Sequence, residues 1–269
     1  MTPSSHLLAA LVLAGALAGC ATAPSTLSQE QISAIVAAPD RAPADRTNDL
    51  RRKPAEMLAF IGVRPGMAAL DVSAARGYTT ELVARAVGPA GKVYAQNAPR
   101  VESRAPPAQP EGAAAPPPPT ATPPAPTLAE RVRNPALAHI VPVTRPFDDP
   151  VPPEVAGNSL DLATLMFNYH DFGHMGVDRA RTNAAIFKAL KPGGVYVIAD
   201  HAGRPGTGIS ESGTLHRIEE DFVKREVEAA GFKLVAVGDF MRNPADPRDR
   251  NTPQPAMPKD EFVLKFVKP

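Results

Sequence analysis

Residues 67–97 read MAALDVSAARGYTTELVARAVGPAGKVYAQN. The stretch opens with an apolar run, 67–72, that ends in Asp71 and Val72 and reads as a buried strand. A turn of mostly small residues follows, Ser73-Ala74-Ala75-Arg76-Gly77. Then comes 79–87, TTELVARAV, whose apolar positions recur at helical spacing. Residues 91–97, GKVYAQN, read as a second strand. Strand, helix and strand within about 30 residues make a βαβ unit, which commits the chain to a parallel sheet.

Upstream, 29–38 suits a short helix. Residues 40–53 (DRAPADRTNDLRRK) are charged and read as solvated, and 54–61 read as a helix with Pro54 in its first turn. Downstream, 138–143, 160–167 and 194–199 read as strands. Residues 178–190 and 218–230 read as helices, and 232–237 and 262–267 as two last strands. The alternation predicts an α/β fold: a doubly wound, seven-stranded, mostly parallel sheet covered on both faces. One stretch breaks it. Residues 99–126 hold 11 of the chain's 32 prolines, have no apolar period, and read as a disordered or polyproline II insertion in a domain spanning 29–269.

Across 269 residues, 29 Lys and Arg balance 28 Asp and Glu, for a net charge of +1. A nucleic-acid partner needs a basic face to neutralise phosphates, and this balance argues against one. The single cysteine, Cys20, excludes an internal disulfide framework and a cysteine-rich zinc site. Residues 7–19, LLAALVLAGALAG, form an uncharged run, too short for the roughly 20-residue helix that spans a bilayer. The run fits the apolar region of an export signal. It closes on Leu17-Ala18-Gly19-Cys20, which resembles the bacterial lipobox. The resemblance implies that 1–19 are a signal cut before Cys20, that the Cys20 thiol is acylated, and that 20–28 are a tether. Ala21 and Thr22 follow with no Asp to suggest inner-membrane retention. The expectation is therefore a lipid-anchored protein of the bacterial cell envelope, held at the outer membrane and facing the periplasm.

In an open α/β sheet, ligands bind beyond the carboxyl ends of the strands, where strand order reverses. The first βα turn is the place to look. Around it stand RPGMAALDV (64–72), GYTTELVARAVGPAGKVYAQN (77–97), LKPGGVYVIADH (190–201), EAAGFKLVAVGDFMRNPADPRD (228–249) and FVLKFVKP (262–269). In this order they resemble the class I S-adenosylmethionine-dependent methyltransferases, and within them a group of bacterial predicted methyltransferases that often carry export signals. The resemblance implies S-adenosylmethionine as cofactor and a small molecule as methyl acceptor. It matches Asp71 to the family's acid and Ser73, Ala74, Ala75, Arg76 and Gly77 to its glycine-rich turn. Asn97 stands where an acid usually accepts from the ribose hydroxyls, and Asp148 near where the family meets the adenine ring.

The end of the fourth strand, Phe167-Asn168-Tyr169-His170-Asp171, is where the family places substrate-facing groups. His170 is expected as general base, having an unperturbed pKa near neutrality, with Asp171 orienting it and Tyr169 lining an acceptor pocket. A capped strand end with a structural histidine is the bland alternative. His170 and His174 are four apart, but Gly173 lies between them and there is no HExxH motif, so no metal is expected. Asp200, His201 and His216 read as packing or capping residues that could also face the cleft. Two functions stay open. One is S-adenosylmethionine-dependent methyl transfer by a lipid-anchored exported protein. The other is a catalytically inactive methyltransferase-like lipoprotein that binds another small ligand or an envelope partner.

Overall fold

The structure, a computed structural model, describes residues 25–99, 124–253 and 255–269. Cys20 with its export-type segment, and nearly all of the proline-rich stretch, lie outside these residues. Three helices lead in. Helix α1 (Gln29–Val36) starts with a capping box, in which Ser28 and Gln31 each bond the other's backbone N–H. Helices α2 (Pro43–Arg52) and α3 (Pro54–Ile61) are split at Lys53, a left-handed residue (φ 44°) whose proline neighbour disfavours continuing the right-handed helix through it.

The βαβ unit follows as β1 (Ala68–Val72), α4 (Tyr78–Val87) and β2 (Lys92–Asn97). After residue 124 come α5 (Leu128–Arg131), β3 (Ile140–Thr144) and β4 (Leu160–Met166). Then come α6 (Asp171–His174), α7 (Arg179–Ala189), β5 (Leu190–His201), α8 (Ser212–Leu215), α9 (Glu220–Ala229), β6 (Lys233–Gly238) and β7 (Glu261–Val267). The sheet runs β3-β2-β1-β4-β5-β7-β6, and β7 lies antiparallel to β5 and β6. This is the seven-stranded, mostly parallel, doubly wound sheet expected. Strand order reverses between β1 and β4, so a crevice opens beyond their carboxyl ends.

Side chains alternate across the sheet with the period of two that strands impose. Ala69 and Leu162 face one core with Leu58, Leu82 and Val83 of α3 and α4. Leu70 and Leu165 face the other with Ile186 and Val227 of α7 and α9. Asp71 and Thr164 are register partners on neighbouring strands.

Residues 40–53 depart from the expected solvated segment. Ten of them form α2, and Arg41 and Asp45 are buried. No apolar stripe drives this burial. Arg41 grips Asp49 at 2.7 and 2.8 Å, and Asp45 pairs with Arg131 far along the chain, so the charges are buried as partners. The four-residue helices α5, α6 and α8 are too short for any periodicity to show in a sequence.

Candidate active site

The first βα turn keeps a glycine-like backbone with few glycines. Ser73, Ala75 and Gly77 are all left-handed, with φ of 56°, 49° and 86°. For an L-residue that conformation costs about 1–2 kcal/mol, so something must hold Ser73 and Ala75 there. The end of β2 does so. Ser73 N donates to Gln96 Oε1 at 3.0 Å, and Ala75 N donates to Asn97 Oδ1 at 2.7 Å. Asn97 Nδ2 donates back to the Ala75 carbonyl at 3.2 Å, and Ala74 N donates to the Gln96 carbonyl. Gln96 is itself tied to the Arg145 carbonyl at 2.6 Å. Asn97, expected at the ribose, is thus turned onto the turn's backbone and is not among the residues lining the cleft.

That cleft, open to solvent, is bounded by Asp45, Asn48 and Arg52 of α2, by Asp71, by 73–76 and by Met166. Asp71 is buried at its floor, where Thr80 and Thr164 donate their hydroxyls to it at 2.6 and 2.7 Å. Burial pushes its carboxyl up to about 6; the two threonine hydrogen bonds and the charge of Arg52 offset only part of that. Arg52 ends α2, where the helix dipole favours a cation. Its guanidinium lies 3.8 Å from the centroid of the Phe167 ring. Burial lowers its pKa to about 10, which leaves it charged at neutral pH. Among the described residues, no carboxylate forms an ion pair with it.

Helix α5 closes one side. Arg131 binds Asp45 at 2.7 and 3.0 Å, pairs with Glu81, and donates Nε to the Arg76 carbonyl at 2.6 Å. A Cβ on Gly77 would stand 3.0 Å from both Arg131 Cδ and Leu128 Cδ1, so the glycine is needed for this approach as well as for its φ. The Arg76 side chain leaves the turn and donates Nε to the Ala125 carbonyl at 2.6 Å. Sequence reasoning missed Asp45, Asn48, Arg52 and Arg131. Each sits in a polar stretch with no local signal, and Asp45 and Arg131 meet across 86 positions.

Beyond β4 His170 and Asp171 stay together, while Tyr169 turns away from them into the core. His170 is buried between two carboxylates: Nδ1 lies 2.6 Å from Asp200 Oδ1 and Nε2 lies 3.0 Å from Asp171 Oδ1. Burial disfavours its charge, yet the hydrogen bonds to Asp171 and Asp200 outweigh it and hold the ring up at about 9. The two flanking carboxylates therefore favour the protonated ring, which works against the general-base role expected of it. For Asp171, burial raises the carboxyl, but bonds to His170 and His216 prevail and bring it to about 2. Tyr169 does not line an acceptor pocket. It is fully buried, donates its hydroxyl to Glu226 at 2.9 Å and accepts from Asn183 at 2.9 Å. Asp148 pairs with Arg181 at 2.9 Å and does not line the cleft.

Histidines gather here instead. The His170 ring is 5.3 Å from that of His201 and 5.6 Å from that of His216, and His174 is 5.6 Å from His216. Four of the chain's six histidines thus share one place. His201 also touches Phe167, at 5.5 Å, so the cluster adjoins the wall of the cleft. The expectation of no metal considered only His170 and His174. The fold adds His216, which lies 2.8 Å from Asp171 Oδ1 across 45 positions.

No protein-family model and no curated protein matches the chain. Solved structures do. A SAM-dependent methyltransferase from Aquifex aeolicus is 17% identical, with a TM-score of 0.54 over 90% of this chain and 100% of that one. The [4+2]-cyclase SpnF is 16% identical, with a TM-score of 0.53 over 92% of this chain and 98% of its own. The chain has the Rossmann-like fold of S-adenosylmethionine-dependent methyltransferases. At such identities the likeness establishes the fold, and a cyclase on the same fold illustrates that the reaction is decided by the site.

Proposed function

We propose that this chain is an S-adenosylmethionine-dependent methyltransferase acting on a small-molecule acceptor. One observation carries this: a single cleft beneath the left-handed turn holds a buried carboxylate, Asp71, and a partly buried guanidinium, Arg52, that has no carboxylate partner among the described residues. A free α-amino acid group bears the two complementary charges. Supplying them here satisfies groups whose burial is otherwise unfavourable.

The chemistry such a cofactor supplies is an electrophilic methyl group on a sulfonium sulfur. The chain's own residues do the holding. Arg52 receives the carboxylate end and Asp71 the ammonium side. Ser73, Ala74 and Ala75 are small enough to let a ligand lie against the backbone of the turn. Met166 and Phe167, at the end of β4, form an apolar wall towards the acceptor side and exclude water. Methyl transfer depends chiefly on alignment of acceptor, methyl and sulfur, which rigid walls provide.

The protein is lipid-anchored through acylated Cys20 in the bacterial cell envelope, at the outer membrane and facing the periplasm. What supports this is the lipobox-like Leu17-Ala18-Gly19-Cys20 closing an uncharged apolar run. Acyl chains contribute about 0.8 kcal/mol per buried methylene, so more than one would anchor the protein stably.

Calorimetric titration of the full-length chain with S-adenosylmethionine and S-adenosylhomocysteine tests the first part. One site per chain is expected, and no binding at millimolar ligand overturns it. Cell fractionation of the wild type beside Cys20→Ala tests the second. Wild-type protein in the soluble cytoplasmic fraction would refute the anchor.

A further inference from the structure

Four histidines and two buried or half-buried acids at the ends of β4 and β5 exceed what capping those strands requires. We infer that His170 Nε2, the Asp171 carboxylate and His216 Nδ1 form a binding site for a divalent transition-metal ion of borderline softness, with zinc as the reference ion. This site lies outside the cleft assigned to the cofactor, and it stands whether or not that cleft takes S-adenosylmethionine.

The ligand atoms already converge. All three lie within 4.8 Å of one another, and Asp171 Oδ1 is 3.0 Å from His170 Nε2 and 2.8 Å from His216 Nδ1. Zinc holds nitrogen and oxygen donors at about 2.0–2.2 Å, which sets tetrahedral donors roughly 3.3–3.5 Å apart. Closing that difference takes small side-chain rotations. His216 and Asp171 are partly exposed and free to make them.

The surroundings are built for such a site. Asp200 is fully buried and accepts from His170 Nδ1 at 2.6 Å, which leaves Nε2 as the ligating nitrogen. Asp200 also takes the His170 backbone N–H at 2.8 Å, so it fixes both the ring and its base. A carboxylate behind a ligating histidine is the usual outer-shell device for orienting the ring and raising its basicity. His216 is left-handed, with φ of 51°, a conformation that a non-glycine residue keeps only when its surroundings hold it. The α8 segment that carries it is clamped to α6. Ser212 Oγ donates to the His170 carbonyl at 2.5 Å and accepts from His174 N at 2.9 Å. Gly173 permits this approach: a Cβ there would lie 2.4 Å from Ile209 Cγ1 and 2.8 Å from Ser212 Oγ. The glycine that seemed to spoil a helical ligand pair is what lets the third ligand in.

Imidazole with carboxylate selects zinc, nickel, cobalt or iron over calcium and magnesium, and a ligand set without thiolate carries no preference for soft ions. Three protein ligands with a solvent-facing fourth position match sites that hold a water or a substrate oxygen.

The test uses full-length, untagged protein stripped with a chelator. Zinc is titrated calorimetrically, and cobalt is followed by its visible d–d absorption. One ion per chain is expected. His216→Ala should abolish the cobalt band and weaken zinc by at least tenfold while circular dichroism stays native, because this half-exposed side chain supports no core. Asp200→Asn, at a positioning residue, should weaken zinc by about 10–100-fold. His139→Ala, whose ring bonds the Ala84 carbonyl, should change nothing. Failure of either ion to bind saturably at one per chain overturns the proposal, as does unchanged affinity in both His216→Ala and Asp171→Asn.

Discussion

Asn97 grips Ala75 at both ends of its amide, accepting the Ala75 N–H at 2.7 Å and donating to the Ala75 carbonyl at 3.2 Å. This one pairing lets an alanine keep the left-handed backbone that a glycine would adopt unaided.

Asn97→Ala should therefore lower stability by about 1 kcal/mol and weaken ligand binding in the cleft. Ala75→Gly added to it should recover much of the binding, since glycine meets no penalty at φ of 49°. Urea unfolding and S-adenosylmethionine titration of the two single variants and the double variant measure the coupling. Simple additivity would show that Asn97 does not act through Ala75.

Asp71 gives the site a pH dependence with a definite sign. Its folded pKa, about 6, lies above the ordinary 3.8, so this residue favours the fold at low pH. That contribution is complete below about 3.8 and is lost as pH rises through about 6; it amounts to roughly 3 kcal/mol. Binding of a cationic ligand needs the ionised form and should strengthen from pH 5 to pH 7. Asp71→Asn should flatten this profile and raise Tm at pH 7 while weakening S-adenosylmethionine by about 1.5–3 kcal/mol. A pH-independent affinity in the wild type would remove Asp71 from the site.

Arg52→Met should show the same opposition between stability and binding. It removes a partly buried charge that has no ion-pair partner among the described residues, so the fold should hold or gain. Affinity for S-adenosylmethionine should fall by about 1.5–3 kcal/mol, the range for a bond to a charged group. A fall in Tm with unchanged affinity would assign Arg52 to structure alone.

Arg131→Met should be severe for stability, at about 3–5 kcal/mol, because the Asp45 and Glu81 carboxylates stay buried without their cation. Arg131→Lys should rescue little, since one ammonium cannot reproduce the two bonds to Asp45 and the one to the Arg76 carbonyl. Thermal unfolding of both variants decides between a paired buried charge and a dispensable one.

Tyr169→Phe should cost about 1–3 kcal/mol, chiefly by stranding the buried Asn183 amide, since the partly exposed Glu226 keeps its bonds to Arg179. It should leave S-adenosylmethionine affinity unchanged. A selective loss of turnover with unaltered stability would return Tyr169 to the acceptor side.

Much of this was legible from local pattern. Short apolar runs such as 67–72 and 262–267 announced the strands, and the turn after Asp71 marked where a ligand would sit. What stayed hidden shares a cause. Arg52 and Arg131 stand in charged, aperiodic stretches, and nothing near either says whether its partner is water, a carboxylate or a ligand. Tyr169 and His170 are neighbours in the chain, yet the fold sends one into the core against Glu226 and the other between Asp171 and Asp200.

By itself the sequence determined the sheet, its helices on both faces and the βα turn at the reversal of strand order. Those follow from periodicity and turn chemistry, which act between residues a few positions apart. Only the tertiary structure decided which polar groups meet: Asn97 with Ala75, Arg131 with Asp45, and His216 with Asp171. Such contacts join residues 22 to 86 positions apart, and their strength comes from burial, which exists only once the chain has folded.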